Sequence, residues 1–187
     1  MSRGGAMEEL VREFSSSVTD ILNMRVRDFI DRYRDFLPRF AIAHHASNVG
    51  RVLGYIKDGR DYVVVVDDEG VVRGVLAPVD IVEALRLPGR GIVREHMGAA
   101  FATVPKVKVT PRGLMRLELV NVMNKHPPVV EEDARVEEVM ELMGRERANY
   151  VVVVDRRGKV RAVLTAHALL RAITGRARTV FEMASRG

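Results

Sequence analysis

The sequence predicts an α/β protein built from two tandem β-α-β-β-α repeats. Three observations carry this. Residues Tyr62–Leu76, YVVVVDDEGVVRGVL, recur 88 positions later as YVVVVDRRGKVRAVL over Tyr150–Leu164, with eleven of the fifteen aligned residues identical, more than two unrelated strands share by chance. Each copy holds four consecutive valines, β-branched and apolar to every side, as in a strand buried on both faces. Each then turns through an Asp and a glycine (Gly70 or Gly158) where positive φ is expected, and runs into a second short apolar stretch. The repeated unit is a buried strand, a tight turn and a partner strand.

The elements follow in order. Met7, Leu10, Val11, Phe14, Val18, Ile21 and Leu22 form one stripe at helical spacing, an N-terminal amphipathic helix placed at 1–23. Its polar face is acidic, which argues against attachment to a membrane. The first repeat is placed at 24–87. Val26–Ile30 read as helix, Phe36–Ala43 as a lead-in strand or loop, and Ser47 as N-cap of a helix with Val49, Val52, Leu53 and Ile56 on one face. Gly50 and Gly54 inside it each cost about 1 kcal/mol against Ala, which predicts close packing on a neighbour. Gly59 ends it. After the hairpin, Pro78 suits the first position of a helix over Val79–Leu87 that Pro88-Gly89 stops.

The second repeat, at 120–174, matches element by element. Val120–Met123 give a short helix and Pro127–Val130 a lead-in strand. Asp133 is the expected cap of a helix that turns Val136, Val139, Met140 and Met143 inward. Thr165 follows the hairpin as N-cap of a helix to about Ile173. Residues 88–119 read as a basic linker, in which Val93–Met97 resembles the openings of the repeats, Ala102–Val109 reads as extended and Thr110-Pro-Arg-Gly113 as a turn. Residues 175–187 form a basic tail containing Val180, Phe181 and Met183.

Composition narrows the function classes. A chain of 187 residues with 47% apolar and 29% charged residues is expected to be a globular protein, and with no signal-peptide core or membrane-length apolar run it is expected in the cytoplasm. The absence of cysteine excludes disulfides, thiolate nucleophiles and thiolate metal sites. The absence of Gln and the excess of Arg over Lys fit a heat-adapted source, though a GC-rich genome also favours Arg. The net charge of +5 concentrates in the linker, at +4, and in residues 120–187, at +3, a solvated surface or a phosphate-binding one. Lys106, Lys108, Arg112 and Arg116, with Arg176, Arg178 and Arg186, form a candidate basic face. Without Trp and with few other aromatics it supports no more than weak, salt-sensitive nucleic-acid binding. His44 and His45 are adjacent and, on an extended segment, point to opposite sides, so no metal site is expected. No arrangement of nucleophile, base and acid, and no phosphate-binding glycine loop, is present. The chain is expected not to be an enzyme.

The repeated unit and the polar motif that opens its last helix resemble a CBS-domain pair, the family named after a domain of cystathionine β-synthase. The residues carrying the resemblance are Tyr62–Asp67, Gly70, Gly74 and Asp80 in the first copy, and Val120–Met123, Pro128, Val151–Asp155, Gly158 and Thr165 in the second. The resemblance implies two repeats associated through their sheets about a pseudo-two-fold axis. It also implies clefts between them that take an adenosine compound: AMP, ADP, ATP or S-adenosylmethionine, with no metal. In the family motif, Gly-h-h-Ser/Thr-x-x-Asp, the hydroxyl faces phosphate or ribose and the Asp takes the ribose diol. A carboxylate suits two vicinal hydroxyls, and a helix N-terminus presents free N–H groups to phosphate.

Each copy keeps half of that motif. The first reads Gly74-Val-Leu-Ala77-Pro-Val-Asp80, with the Asp and no hydroxyl; the second reads Ala162-Val-Leu-Thr165-Ala-His-Ala168, with the hydroxyl and no Asp. By the resemblance, the ligand-binding candidates are Asp80, Ala77, Val79 and Tyr62 in the first copy, and Thr165, His167, Tyr150, Pro128 and His126 in the second. Each retained polar residue also has a structural role to fill. An acid in the first turn of a helix gains about 0.3–1 kcal/mol from the dipole, and a Thr N-cap about 1 kcal/mol. The nucleoside is expected at Asp80, with the Thr165 cleft empty or holding phosphate. The expected function is a stand-alone regulatory module that senses an adenosine nucleotide and acts on a partner protein as a homodimer. The alternatives are a dimeric interaction scaffold with degenerate clefts and a weak nucleic-acid binder.

Overall fold

A computed structural model of the chain, describing residues 3–85 and 111–176, resolves each hairpin into its own three-stranded sheet. The described elements are α1 (Arg3–Leu22), α2 (Val26–Arg32), β1 (Phe40–His44), α3 (Val49–Lys57), β2 (Tyr62–Val66), β3 (Val72–Leu76), α4 (Pro78–Leu85), α5 (Pro111–Arg116), β4 (Val129–Glu131), α6 (Val136–Glu146), β5 (Tyr150–Val154), β6 (Val160–Thr165) and α7 (Ala166–Arg176). Short 3-10 turns lie at Arg34–Phe36 and Leu119–Asn121. The sheet orders are β1-β2-β3 and β4-β5-β6, the same in both repeats. The expected helix end at Leu87 and Pro88-Gly89, the stretches Val93–Met97 and Ala102–Val109, and the tail beyond Arg176 lie outside the described residues.

The described residues fall into two compact units. One draws on the spans Pro38–Pro127 and Arg156–Val163. In it β1 runs parallel to β2 and β2 antiparallel to β3. Val63, Val64 and Val65 have no exposed surface, so the valine run is covered on both faces. Val63 and Val65 pack with Ala43, Val49, Val52, Leu76 and Leu119. Helix α3 is capped by Asn48 rather than Ser47: the Asn48 Oδ1 accepts the Arg51 N–H at 3.1 Å. The Ser47 carbonyl instead accepts the Leu119 N–H at 3.1 Å, which delays the helix by one residue. Gly50 has the expected close neighbour, since a Cβ there would lie 3.0 Å from the Met115 carbonyl of α5, whereas Gly54 faces open space. Where a turn was expected at Thr110–Gly113, α5 begins at Pro111, a residue whose fixed φ suits the first helical position. Strand β3 carries a bulge. Val65 pairs with Gly74 and Val66 with Val72, so Arg73 is the extra residue.

The other unit draws on Met1–Leu37, Pro128–Asp155 and Leu164–Gly187. Its core includes Ile21, Val26, Phe29, Val136, Val139 and Leu169, and Met143 is also buried. Met140, expected inward, is exposed. Helix α6 is preceded by Arg135 as N-cap, whose N–H is accepted by Glu138 Oε1 at 2.9 Å. Asp133 does not cap it; its carboxylate pairs with Arg27 at 2.7 Å and its carbonyl accepts from Arg25 at 2.8 Å.

These last contacts belong to an exchange of opening segments. The first amides of α2, which no helical carbonyl can reach, donate to the turn before α6: Val26 to Ala134 O and Arg27 to Glu132 O, both at 2.9 Å. Val136 at the start of α6 returns a bond to Met24 O at 2.9 Å. Residues 24–27, which open the first repeat in sequence, are thus secured to the second hairpin's unit. In the first hairpin's unit, Leu117 O accepts Val49 N–H at 2.9 Å, and Asn124 exchanges both backbone bonds with Val75 at 2.9 and 3.0 Å.

The glycines give a stability test. A Cβ on Gly74 would meet the Met123 sulfur and, at 2.8 Å, the Asn124 carbonyl that holds Val75. Gly74→Ala is expected to destabilise by about 1–3 kcal/mol through overpacking. Gly54→Ala, inside α3 with no neighbour, is expected to stabilise by up to about 1 kcal/mol. Urea denaturation of the two variants checks both signs.

Candidate functional site

The first hairpin places its retained motif at one end of its sheet. Leu76 pairs with Val63, so the register carries Ala77 across from Tyr62. Both are buried. Burial, and next the charge of Asp61, push the Tyr62 hydroxyl above its ordinary pKa, so it stays a neutral hydrogen-bonding group. Asp80 sits half-buried in the first turn of α4, and its Oδ2 accepts the Ala77 N–H at 2.8 Å. This is the acid half of a capping box, with no hydroxyl to complete it. A carboxylate has several acceptor positions, and the Ala77 bond uses one of them. Val79 beside it is exposed.

The second hairpin's motif is closed in on itself. Thr165 is buried, and its Oγ1 accepts the Ala168 N–H at 3.2 Å, the expected N-cap bond. The Ala166 N–H donates to Asn149 O at 2.9 Å. Two of the first three amides of α7 therefore already have protein partners, which weakens the case for an anion there. Ala168 has no exposed surface. A carboxylate in its place would be buried against apolar neighbours, so the missing Asp is a consequence of how α7 packs. His167 is exposed, and Tyr150 is buried at the start of β5. Pro128 is buried, its carbonyl accepting Val152 N–H at 2.9 Å. His126 is exposed, with its backbone N–H on Asn124 Oδ1 at 3.0 Å.

The opposite end of the first sheet holds a group that the motif did not predict. His44 and His45 do not point apart: their ring centroids are 4.2 Å from each other. Strand β1 ends at His44, and beyond it the strand alternation no longer applies. The Ala46 N–H donates to His44 Nδ1 at 3.2 Å, so the proton of this ring lies on Nε2, which contacts Asp68 Oδ1 at 2.7 Å. Next to them a cleft of about 510 Å³ is lined by His45, Asp67, Arg73, Val120, Met123 and Lys125. No group of three or more metal-ligating side chains occurs among the described residues.

Asp67 organises the turn beside that cleft. Its Oδ1 accepts the Val71 N–H at 2.8 Å and the Glu69 N–H at 3.0 Å, and its Oδ2 accepts Arg73 Nε at 2.7 Å. The Val71 bond first, and with it Arg73 and Glu69, holds its carboxyl below the ordinary value despite some desolvation. Of the candidate basic face, Arg112 and Arg116 are exposed, Arg176 pairs with Asp20 at 2.7 Å, and Lys106, Lys108, Arg178 and Arg186 lie outside the described residues.

Comparison with known proteins agrees with this architecture. Residues 119–175 match the family model of the CBS domain. Residues 119–175 are a CBS domain, and the chain as a whole has the fold of tandem CBS repeats. Solved structures share its fold over both repeats. A CBS-domain containing protein from Agrobacterium tumefaciens is 18% identical, covering 80% of this chain and 98% of that one, with a TM-score of 0.55. The CBS domain of a bacterial CNNM/CorC family Mg2+ transporter is 15% identical, covering 92% of this chain and 91% of that one, at 0.60. The same domain type in complex with ATP is 15% identical, covering 88% and 96%, at 0.58. No curated protein matches the chain. CBS domains are regulatory modules, and no helix among the described residues is long and apolar enough to cross a membrane.

The turn gives a pH test. Because the folded carboxyl of Asp67 titrates below the 3.8 of the free group, the folded state binds fewer protons in that interval. Its contribution to stability is complete above the unfolded value and is lost as pH falls through the folded one. Asp67→Asn is expected to be less stable than the parent at neutral pH, with the gap narrowing below about pH 4. Thermal midpoints of both proteins across that range check it.

Proposed function

We propose that this CBS pair is a regulatory module that binds an adenosine nucleotide at the Asp80 site and alters the contacts of a partner protein. The observation that carries the reading is the half-buried Asp80 carboxylate beside Ala77 and Tyr62, in the position where the family motif takes a ribose diol. The likeness to a CBS domain in complex with ATP supports the choice of ligand class. The buried Ala168 and the satisfied amides of α7 favour the first repeat over the second. A ligand that favours one packing of the module over another shifts its population, and through it the surface offered to a partner.

A thermal-shift series with AMP, ADP, ATP and S-adenosylmethionine is expected to raise the midpoint with at least one of them, by mass action on the native state. Asp80→Ala should then weaken binding at least about tenfold, the loss of charge-assisted hydrogen bonds to the ribose. Thr165→Ala should change affinity far less. Calorimetry on both variants decides it; unchanged affinity in Asp80→Ala, or the larger loss in Thr165→Ala, defeats the assignment. No shift with any nucleotide would turn the reading to an interaction scaffold.

The assembly we propose is a homodimer to which α1 contributes. Ile21 is buried at the C-terminal end of α1, but Val11 and Phe14 on the same stripe stay exposed. Sedimentation at micromolar concentration is expected to show a dimer, weakened by Phe14→Glu. A monomer only would remove the proposal.

A further inference from the structure

The cleft at the end of the first sheet away from Asp80 is not accounted for by nucleoside binding. β2 is five residues long, so its two ends are about 13 Å apart at the rise of a strand. Tyr62 and Ala77 mark one end; His45, Asp67 and Arg73 mark the other.

Three basic side chains from three separate segments line it. His45 follows the end of β1, its backbone N–H on Val66 O at 2.9 Å. Its ring Nδ1 is buried and has no hydrogen-bond partner. A buried ring nitrogen without a partner costs free energy, which a small turn of the ring toward the cleft would let an oxyanion recover. Arg73 is the extra residue of the β3 bulge, a device that re-aims a side chain. Its Nε and one terminal nitrogen hold Asp67 Oδ2, both at 2.7 Å, leaving the guanidinium's other terminal nitrogen as donor. Lys125 follows the Leu119–Asn121 turn, is exposed, and forms no ion pair among the described residues. The acid in the lining is already neutralised, since Asp67 is held by two backbone amides and Arg73. The neighbouring Asp68 is turned to His44. The remaining wall, Val120 and Met123, is apolar.

We infer that this cleft is a phosphoryl-binding site, distinct from the Asp80 site, in which Lys125, Arg73 and His45 hold the oxyanion and Val120 and Met123 face the body that carries it. A phosphoryl group presents oxygens in three directions, as donors from three segments require, whereas a carboxylate presents two in one plane. The 510 Å³ volume exceeds what a bare phosphate fills, so the apolar wall suits a small phosphomonoester.

The test is NMR of the full chain with nitrogen-labelled histidine, titrated with inorganic phosphate and with phenyl phosphate at constant ionic strength set by chloride. Both His45 ring nitrogens are expected to shift saturably with at least one of the two probes. The tighter probe tells free phosphate from an ester. Lys125→Ala removes an exposed side chain that makes no ion pair among the described residues, so it should fold normally and bind at least about fivefold more weakly. Asp80→Ala should leave this titration unchanged, which separates it from failure of the nucleotide reading. His45 signals that follow chloride as they follow phosphate, or a Lys125→Ala titration equal to the parent's, overturn the site.

Discussion

The structure depends on where the stranded backbone groups at the starts of α2, α3 and α6 find partners. A helix leaves its first N–H groups without internal acceptors, and burying them unpaired costs about 1–3 kcal/mol each. Here the acceptors come from far along the chain. Val26 and Arg27 reach carbonyls at Ala134 and Glu132, and Val49 reaches Leu117. Arg25, Arg27 and Asp133 add side-chain bonds at the same junction. Neither compact unit is therefore made from one contiguous stretch. Each needs an opening segment that the sequence order allots to the other repeat, a topology of long-range contacts that slows folding.

That constraint marks what was legible in the sequence. The valine runs, the Asp and Gly of the turns and the helical stripes are local signals, and each reports an element whose causes lie within a few residues. Gly70 and Gly158 do hold positive φ, and Thr165 does cap α7. What the sequence could not show were choices made by distant partners. Ser47 and Asn48 are both good caps, and only the Leu119 bond to Ser47 decides between them. Asp133 precedes α6 as a cap should, but an arginine more than a hundred residues away claims it. Pro111 read as a turn because its role as the first residue of a helix packed on α3 is invisible until Met115 is seen against Gly50.

Of the candidate site, the sequence supplied the list of residues and an unequal expectation for the two copies, with the nucleoside at Asp80 and the Thr165 cleft empty or holding phosphate. What it could not supply was the surroundings of each. Asp80 is half-buried and accepts the Ala77 N–H, while Thr165 is buried and its hydroxyl oxygen accepts the Ala168 N–H. The loss of the second Asp follows from the same packing. Ala168 lies in the core with Leu169, Ala172 and Ile173, where a carboxylate would require a counter-charge that the apolar face of α7 does not supply.

The two ends of the first sheet also differ in electrostatic kind, and this follows from strand direction. β1 and β2 run parallel, so both deliver their C-terminal residues, His44, His45 and Asp67, to one end. β3 returns from that end through the Asp67 turn and brings Arg73 with it, while its own C-terminus carries Ala77 and Asp80 to the other. A carboxylate acceptor at one end and the nitrogen donors of His45, Arg73 and Lys125 at the other differ in what they can hydrogen-bond: donors at the first, acceptors at the second. The one-residue bulge adds Arg73 to that end, because without it the pleat would continue unbroken through that position.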